Sequence, residues 1–286
     1  MTTIAVGLVV AAAVAHAGWN FIAKRGPTGP AYTWVLVVAE AVVIAPLGIA
    51  LWVMGHWQPT ATTALALLVA GALQAVYFML LRGGYARGDL SLVYPITRGV
   101  GALFATAAGL VLLGEHPGPI PIVGAVVIVG SVLFLTNPRR GPRSMQRVAI
   151  ILAIIAGASI GVYSWWDRRS VVDLAIPVVV YTWACAVFEA LWLTPTMLGD
   201  RARLRVALRH WPSATIAGAL RFAAYAFVLL AYAWQGAPLS LVAPLRETGI
   251  LVAVWLGGSM LGEEDRNRRL LASVGIVVGG LLLVVG

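Results

Sequence analysis

Apolar residues run along this chain in long blocks. They show neither the strict alternation of a half-buried strand nor the three-to-four spacing of a surface helix. Ten blocks stand out, at about residues 3–23, 31–54, 62–82, 91–113, 119–136, 148–166, 176–198, 213–234, 239–261 and 270–286. Each approaches the roughly 20 residues that a helix needs to cross the hydrocarbon core of a bilayer. Lipid offers the backbone no hydrogen-bond partner, so the blocks are expected to be helices and an open sheet is excluded. The predicted fold is an all-α polytopic membrane protein of ten transmembrane helices, with short connections that pack them into one bundle.

The blocks repeat. YTWVLVVAEAVVIAP begins at Tyr32 and YTWACAVFEALWLTP at Tyr181, sharing Tyr, Thr, Trp, Glu, Ala and Pro at an offset of 149 residues. LSLVYP at Leu90 returns as LSLVAP at Leu239, LLGE at Leu112 as MLGE at Met260, and GAL at Gly71 as GAL at Gly218. A fainter echo links GWNFIAKR at Gly18 to VYSWWDRR at Val162. Blocks 1–5 and 6–10 therefore read as two copies of one unit, residues 1–137 and 148–286, joined by a basic loop over 138–147. Five is odd, so the second copy enters the membrane from the opposite side. Such a 5+5 inverted-topology repeat is a common plan of secondary transporters, whose site lies near the midplane between the copies.

Composition supports the membrane reading: 60% of residues are hydrophobic and 11% charged, against about 25% charged in soluble domains. The first block lacks a basic leader and a small-x-small cleavage site, so it reads as a span and not as a signal peptide. One cysteine, Cys185, leaves no internal disulfide and no cysteine metal cluster to expect. The net charge of +9 does not point to nucleic acid, because of where the charges fall. Fifteen basic residues sit in the loops after odd-numbered blocks, among them Lys24, Arg25, Arg82, Arg87, Arg203 and Arg269; Arg168 and Arg169 face the other side. By the positive-inside rule the first set is cytoplasmic and both termini are outside. These charges are expected to set topology and to meet anionic lipid in a plasma membrane of bacterial type.

HAGWNFIAK from His16, YPITRGVGALFATAAGLVLLGE from Tyr94 and PLRETGILVAVWLGGSMLGEE from Pro244 resemble the EamA family of the drug/metabolite transporter superfamily. The resemblance covers nearly the whole chain. It implies ten helices in a 5+5 inverted arrangement, a central polar cavity, and transport, often export, of small metabolites such as amino acids. Many family members have cytoplasmic termini, whereas the arginines of this chain argue for the reverse.

Six ionisable residues lie well inside the blocks: Glu40, Arg98, Glu189, Arg221, Arg246 and Glu247. Each would cost roughly 2.5–3.5 kcal/mol at a lipid-facing helix centre, so they are expected to face one another or water inside the bundle. The offset pairs Glu40 with Glu189 and Arg98 with Glu247. Arg98 and Glu247 each follow a helix-interrupting proline, Pro95 and Pro244, with Gly99 and Gly249 nearby as hinge candidates. Two readings stand. Either the charges form an Arg–Glu network that fixes packing, or some bind substrate, an arginine taking a carboxylate and a glutamate taking an amine or a coupling proton. His16, Trp19 and Asn20 share a helix face, offering a further proton or substrate site. Tyr163 is a cavity candidate, and Gln74, Tyr77, Tyr94, Thr97 and Tyr225 add polar candidates. Gly275 and Gly279 mark the last block, like the fifth, as a packing element.

The function expected is alternating-access transport of small polar or amphipathic metabolites by a monomer or homodimer, without cofactor. The alternative is a flippase-like or accessory membrane protein handling a lipid-linked substrate. Enzymatic chemistry and ATP hydrolysis are not expected: the chain has no HExxH, no paired histidines in a block and no Walker A motif.

Overall fold

In the computed structural model, which describes residues 3–55, 57–113, 119–136, 143–197, 201–235, 249–263 and 265–285, the apolar blocks are helical. In chain order these are α1 (Thr3–Arg25), α2 (Pro30–Met54), α3 (Ala61–Tyr85), α4 (Leu90–Leu113), α5 (Pro119–Thr136), α6 (Arg143–Arg168), α7 (Val178–Leu193), α8 (Arg201–Arg209), α9 (Trp211–Gln235), α10 (Gly249–Met260) and α11 (Arg266–Val285). Six stretches are long and apolar enough to cross a membrane: Thr3–Arg25, Pro30–Met54, Ala61–Tyr85, Met145–Asp173, Val178–Met197 and Trp211–Ala233. Leu90–Phe104, Ile122–Leu135 and Gly249–Met260 are shorter apolar helices. The outward faces carry exposed Val42, Val43, Leu47, Leu65, Val126, Ile151 and Leu271, a surface suited to lipid and costly in water.

Local chemistry sets the ends. Pro30 opens α2, where its missing N–H is harmless. Thr60 and Thr63 form a reciprocal capping box at the start of α3. The segment between the seventh and eighth blocks, expected as a basic loop, contains the helix α8. Its Ala207 is buried and its arginines are exposed, the pattern of a helix lying along a membrane surface.

The helices pair in matched sets. α2 packs on α7. α1 packs on α9, and α6 on α3; α2 packs on α9, and α7 on α3. α1 also meets α10, as α6 meets α4, and α5 packs along α11. A Cβ at Gly279 would lie 2.7 Å from the Gly124 carbonyl oxygen, so the small residues of the last block permit close α5–α11 packing. The repeated YTW motif ties α2 to α7 from both ends: Trp34 Nε1 donates to Thr194 Oγ1 (3.1 Å) and Trp183 Nε1 to the Ala41 carbonyl (3.1 Å). Several loop-edge charges expected to meet lipid are instead turned inward. Arg82 is buried and donates to the carbonyls of Ala23 and, at 2.7 Å, Pro27. Lys24 Nζ donates to the carbonyls of Tyr85 and Gly88, each at 2.7 Å, at the end of α3.

Candidate charge centre and end latch

Two glycines bring the central charges together. A Cβ at Gly71 in α3 would lie 2.9 Å from the backbone nitrogen of Glu189 in α7. A Cβ at Gly218 in α9 would lie 3.0 Å from that of Glu40 in α2. The repeated GAL is thus where α3 and α9 press against the two glutamate positions, an approach that any side chain would block. One residue past each GAL stands a polar side chain, Gln74 in α3 and Arg221 in α9.

Arg221 serves both glutamates. Its Nη1 lies 2.6 Å from Glu40 Oε2, and its Nη2 pairs with Glu189 Oε2. The guanidinium carbon lies 5.0 Å from the centroid of the Phe78 ring, a favourable seat for a cation. Both carboxylates are buried. Glu189 Oε1 is enclosed and has no hydrogen-bond partner among the described residues. One guanidinium neutralises one carboxylate. A second negative charge in a water-poor interior requires a proton or a cation.

A cavity of about 20 Å³ adjoins Arg221, lined by His16, Trp19, Gln74, Tyr77, Tyr163, Arg221 and Tyr225 among others. That volume holds about one water molecule. Gln74 Nε2 donates to Tyr225 Oη (3.1 Å), and the rings of Tyr77 and Tyr163 meet edge to face at 5.3 Å. The walls combine aromatic faces with convergent polar groups, and at this volume the cavity takes a water and not a metabolite.

A second polar cluster lies at the arginine-rich end. The chain leaves α10 through Gly262 at φ +65°, a left-handed turn that suits glycine. The turn swings Glu263 across to α4, where Oε1 accepts the Leu90 N–H (2.8 Å) and Oε2 the Ser91 N–H (2.9 Å). A carboxylate is well placed there, because the first N–H groups of a helix lack partners and its dipole favours an anion. The Ser91 hydroxyl also donates to Glu263. Arg269 of α11 then bridges Asp89 (2.5 Å), Glu263 (3.5 Å) and Ser91.

Neither a protein-family profile nor a curated protein matches the chain in sequence. A solved crystal structure, described only as that of a protein, is similar over 99% of this chain and 96% of its own, with a TM-score of 0.62 and 17% identity. At that identity the likeness is one of fold.

The structure joins Glu40, Glu189 and Arg221, and sets His16 and Tyr163 on the cavity beside them. Asn20 instead bridges helices: its Nδ2 donates to the His16 carbonyl (2.7 Å) and its Oδ1 accepts from Tyr85 Oη (2.5 Å). Arg98 and Tyr94 are buried on α4, which continues as a helix through Pro95. Gly99 packs toward Val132 of α5 and Ile276 of α11, and Gly249 at the start of α10 approaches the Ala13 carbonyl of α1. Arg246, Glu247 and Pro244 lie outside the described residues. Asp89, Ser91 and Glu263 are not among the candidates read from the sequence, and Arg269 stands there only among the loop charges. The signal was present in the repeated LGE and LSLV, which mark the copies without revealing that one carboxylate caps the other segment. GASIG at Gly157 matches the G-x-S-x-G string of serine hydrolases. It lies inside α6, with Ser159 donating to the Ala156 carbonyl at 2.7 Å, not on the strand-to-helix elbow which that chemistry needs. Among the described residues no group of three or more His, Cys, Asp or Glu is placed to hold a metal.

Proposed function

We propose that this protein is a secondary transporter of the EamA type within the drug/metabolite transporter superfamily. In this reading it exports small polar or amphipathic metabolites, amino-acid-like compounds among them, across a plasma membrane of bacterial type. It has ten spans arranged as two inverted five-helix copies, with both termini outside, and acts as a monomer or homodimer without cofactor or catalysis. The matched helix pairs support the repeat, since exchanging the two copies maps each pair onto itself or onto another observed pair.

The observation that carries the function is the shared guanidinium. Two repeat-related carboxylates, buried at mid-bundle, hold one arginine between them beside a polar and aromatic cavity. In the proposed cycle, one copy rocks against the other about this centre. A proton entering at Glu40 or Glu189 weakens one arm of the pair and lets Arg221 or the freed, neutral carboxyl group engage substrate. The end latch ties α4 of one copy to the α10–α11 turn of the other, and in the proposed cycle this contact closes the arginine-rich end.

The test is a resistance panel in host cells at matched membrane levels. Wild type, Glu40→Gln, Glu189→Gln and Arg98→Ala are challenged with toxic amino acids, their analogues, organic cations and metabolite intermediates. Protection by wild type that is lost in the glutamate variants is the expected result and names the substrate class. Undiminished protection by every variant would reduce the charge centre to a packing lock. No protection by wild type against any compound would count against export of these classes.

A further inference from the structure

The end of the bundle opposite the arginine-rich one holds a buried carboxylate outside the charge centre. Asp167 lies in the last turn of α6 and is 2% exposed. Tyr181 of α7 donates its hydroxyl to Asp167 Oδ1 at 2.7 Å, and the Tyr225 hydroxyl of α9 hydrogen-bonds to Asp167 as well. Cys185 of α7 is within its electrostatic reach, and α3 meets this turn through the Ala66 carbonyl, which accepts from Trp166 Nε1 at 3.0 Å. On its own segment Arg168 follows, then the exposed Arg169 and Asp173, where the chain widens into a π-helical turn over Arg169–Asp173. Such turns are rare and cluster at functional sites. Tyr181 and Glu189 stand two turns apart on α7, roughly 12 Å at 1.5 Å per residue, too far for a direct proton transfer from this end to the charge centre. Tyr225 spans the gap. It sits one turn beyond Arg221 on α9, and both line the small cavity. Asp167, Tyr225, the cavity and Arg221 therefore form one polar file from this end to mid-bundle, and the cavity has the size of one water molecule.

The repeat makes the file one-sided. The register that sets VYSWWDRR against GWNFIAKR puts Ala23 at the place of Asp167. Tyr32 matches Tyr181, but its ring centroid lies 5.3 Å from the Arg82 guanidinium and its hydroxyl meets Ser213 Oγ at 3.2 Å. One copy sets its tyrosine on an acid, the other beside a buried cation. A carboxylate holds a proton and a cation repels one, so the two ends differ as proton entries. We infer that Asp167 is the group through which protons from the face opposite the arginines reach the charge centre. Protonated Asp167 gives its proton to Tyr225 Oη as Tyr225 passes its own to water in the cavity, and Asp167 is reprotonated from its own face. One proton enters and one moves on. The Tyr225 oxygen has the two lone pairs needed to accept from Asp167 and from Gln74 Nε2 (3.1 Å) together. Arg221 lines the cavity, and the two glutamates are not among its lining residues. A fixed cation bars a proton, so the last transfer, onto Glu40 or Glu189, follows the opening of one arm of the pair. The inference rests on the coupling role proposed for that centre.

The experiment follows the proton itself and needs no substrate. The full chain in lipid nanodiscs is taken through a downward pH jump, and its protonated carboxyl groups are read by time-resolved infrared absorption. Wild type minus Asp167→Asn isolates the Asp167 band; wild type minus Glu40→Gln/Glu189→Gln isolates that of the glutamates. Asp167 should titrate, and the glutamate band should rise at least about tenfold more slowly in Asp167→Asn and in Tyr225→Phe than in wild type. Tyr225→Phe keeps the carboxylate, so it tests the relay even where Asp167→Asn disturbs the fold. Asp173→Asn removes an exposed carboxylate at the same end and should leave the rate as it is in wild type. An Asp167 that does not titrate, a glutamate band that rises at the wild-type rate in both relay variants, or equal slowing in Asp173→Asn would each overturn the route and leave the coupling role standing. A glutamate band that never appears in wild type would overturn the coupling role, and the route with it.

Discussion

In α3 the sequence GAL is followed by Gln74; in α9 the same three residues are followed by Arg221. Both glycines press against a glutamate of the other copy, and both following side chains line one cavity. The two halves are thus built alike down to the close approach and then differ in one side chain. Among the described residues, that difference leaves two carboxylates with one guanidinium. Had both copies carried glutamine, two buried carboxylates would stand unpaired. Had both carried arginine, each carboxylate would have its own cation and no charge would be left to titrate. Near-symmetry places the groups; in the proposed cycle, its failure at this position supplies the charge that a coupling proton would balance.

The most severe way to break the comparison is to make the halves identical without charge. Arg221→Gln is expected to abolish transport and to destabilise the protein by about 3–5 kcal/mol, the usual effect of removing one partner from a buried ion pair. Thermal unfolding in detergent reads the stability. Adding Glu40→Gln and Glu189→Gln to that variant should restore much of the stability and none of the transport. Recovery of transport in the triple variant would show that the centre is only a lock.

Making the halves identical with charge separates coupling from folding. Gln74→Arg offers the second carboxylate its own cation, in place of the Gln74–Tyr225 hydrogen bond. The protein should stay folded. In proteoliposomes, transport driven by a pH gradient should fall at least about tenfold, while substrate exchange without a gradient should survive. Gradient-driven transport at the wild-type rate would mean that the second carboxylate is not the proton's seat.

Much of the site was legible in the residues, and the limits were physical. Glu40 and Glu189 announce themselves because a carboxylate in an apolar block is costly, and the repeat pairs them. Their partner does not announce itself, because Arg221 lies 181 residues from Glu40 and 32 from Glu189. Only packing of α9 against α2, and of α3 against α7, decides which arginine reaches them. By proline and glycine context Arg98 is as good a candidate. Charges near the helix ends were the hardest to read, since Arg82 and Arg269 have the same sequence signature as arginines that set topology. Burial distinguishes them, and burial depends on neighbours far away in the chain. The helical α8 was hidden for a similar reason: it is too short and too charged to form a block of its own.

The end latch sharpens the comparison on a smaller scale. Arg269→Gln removes the cation that holds Asp89 and Glu263 at the start of α4. Hydrogen bonds to charged groups contribute about 1.5–3 kcal/mol, so the closed state should lose about tenfold or more in population. With Cys185 replaced by alanine, a cysteine at the buried Val93 should react with a water-soluble maleimide about tenfold faster in Arg269→Gln than in its absence. An unchanged rate would mean that the latch does not hold this end closed.

The mildest test asks whether the two copies are energetic equals where they are chemical equals. Trp34 and Trp183 stand at matching positions of the repeated YTW, and each indole N–H crosses between α2 and the α7 segment at 3.1 Å. Phenylalanine at either place keeps an aromatic ring and loses one hydrogen bond, worth about 1 kcal/mol. The acceptors differ. Trp34 donates to the Thr194 hydroxyl, which itself donates to the Ala190 carbonyl (2.8 Å), whereas Trp183 donates straight to a backbone carbonyl. Trp183 also packs against Gly48, where an added Cβ would lie 2.6 Å from the indole, so the ring is held as well as the bond. Trp183→Phe should therefore cost somewhat more than Trp34→Phe, by less than about 1 kcal/mol. A larger gap would mean that one copy carries most of the stability of the α2–α7 pair. The opposite order would show that the hydroxyl relay through Thr194 outweighs the packing of Trp183.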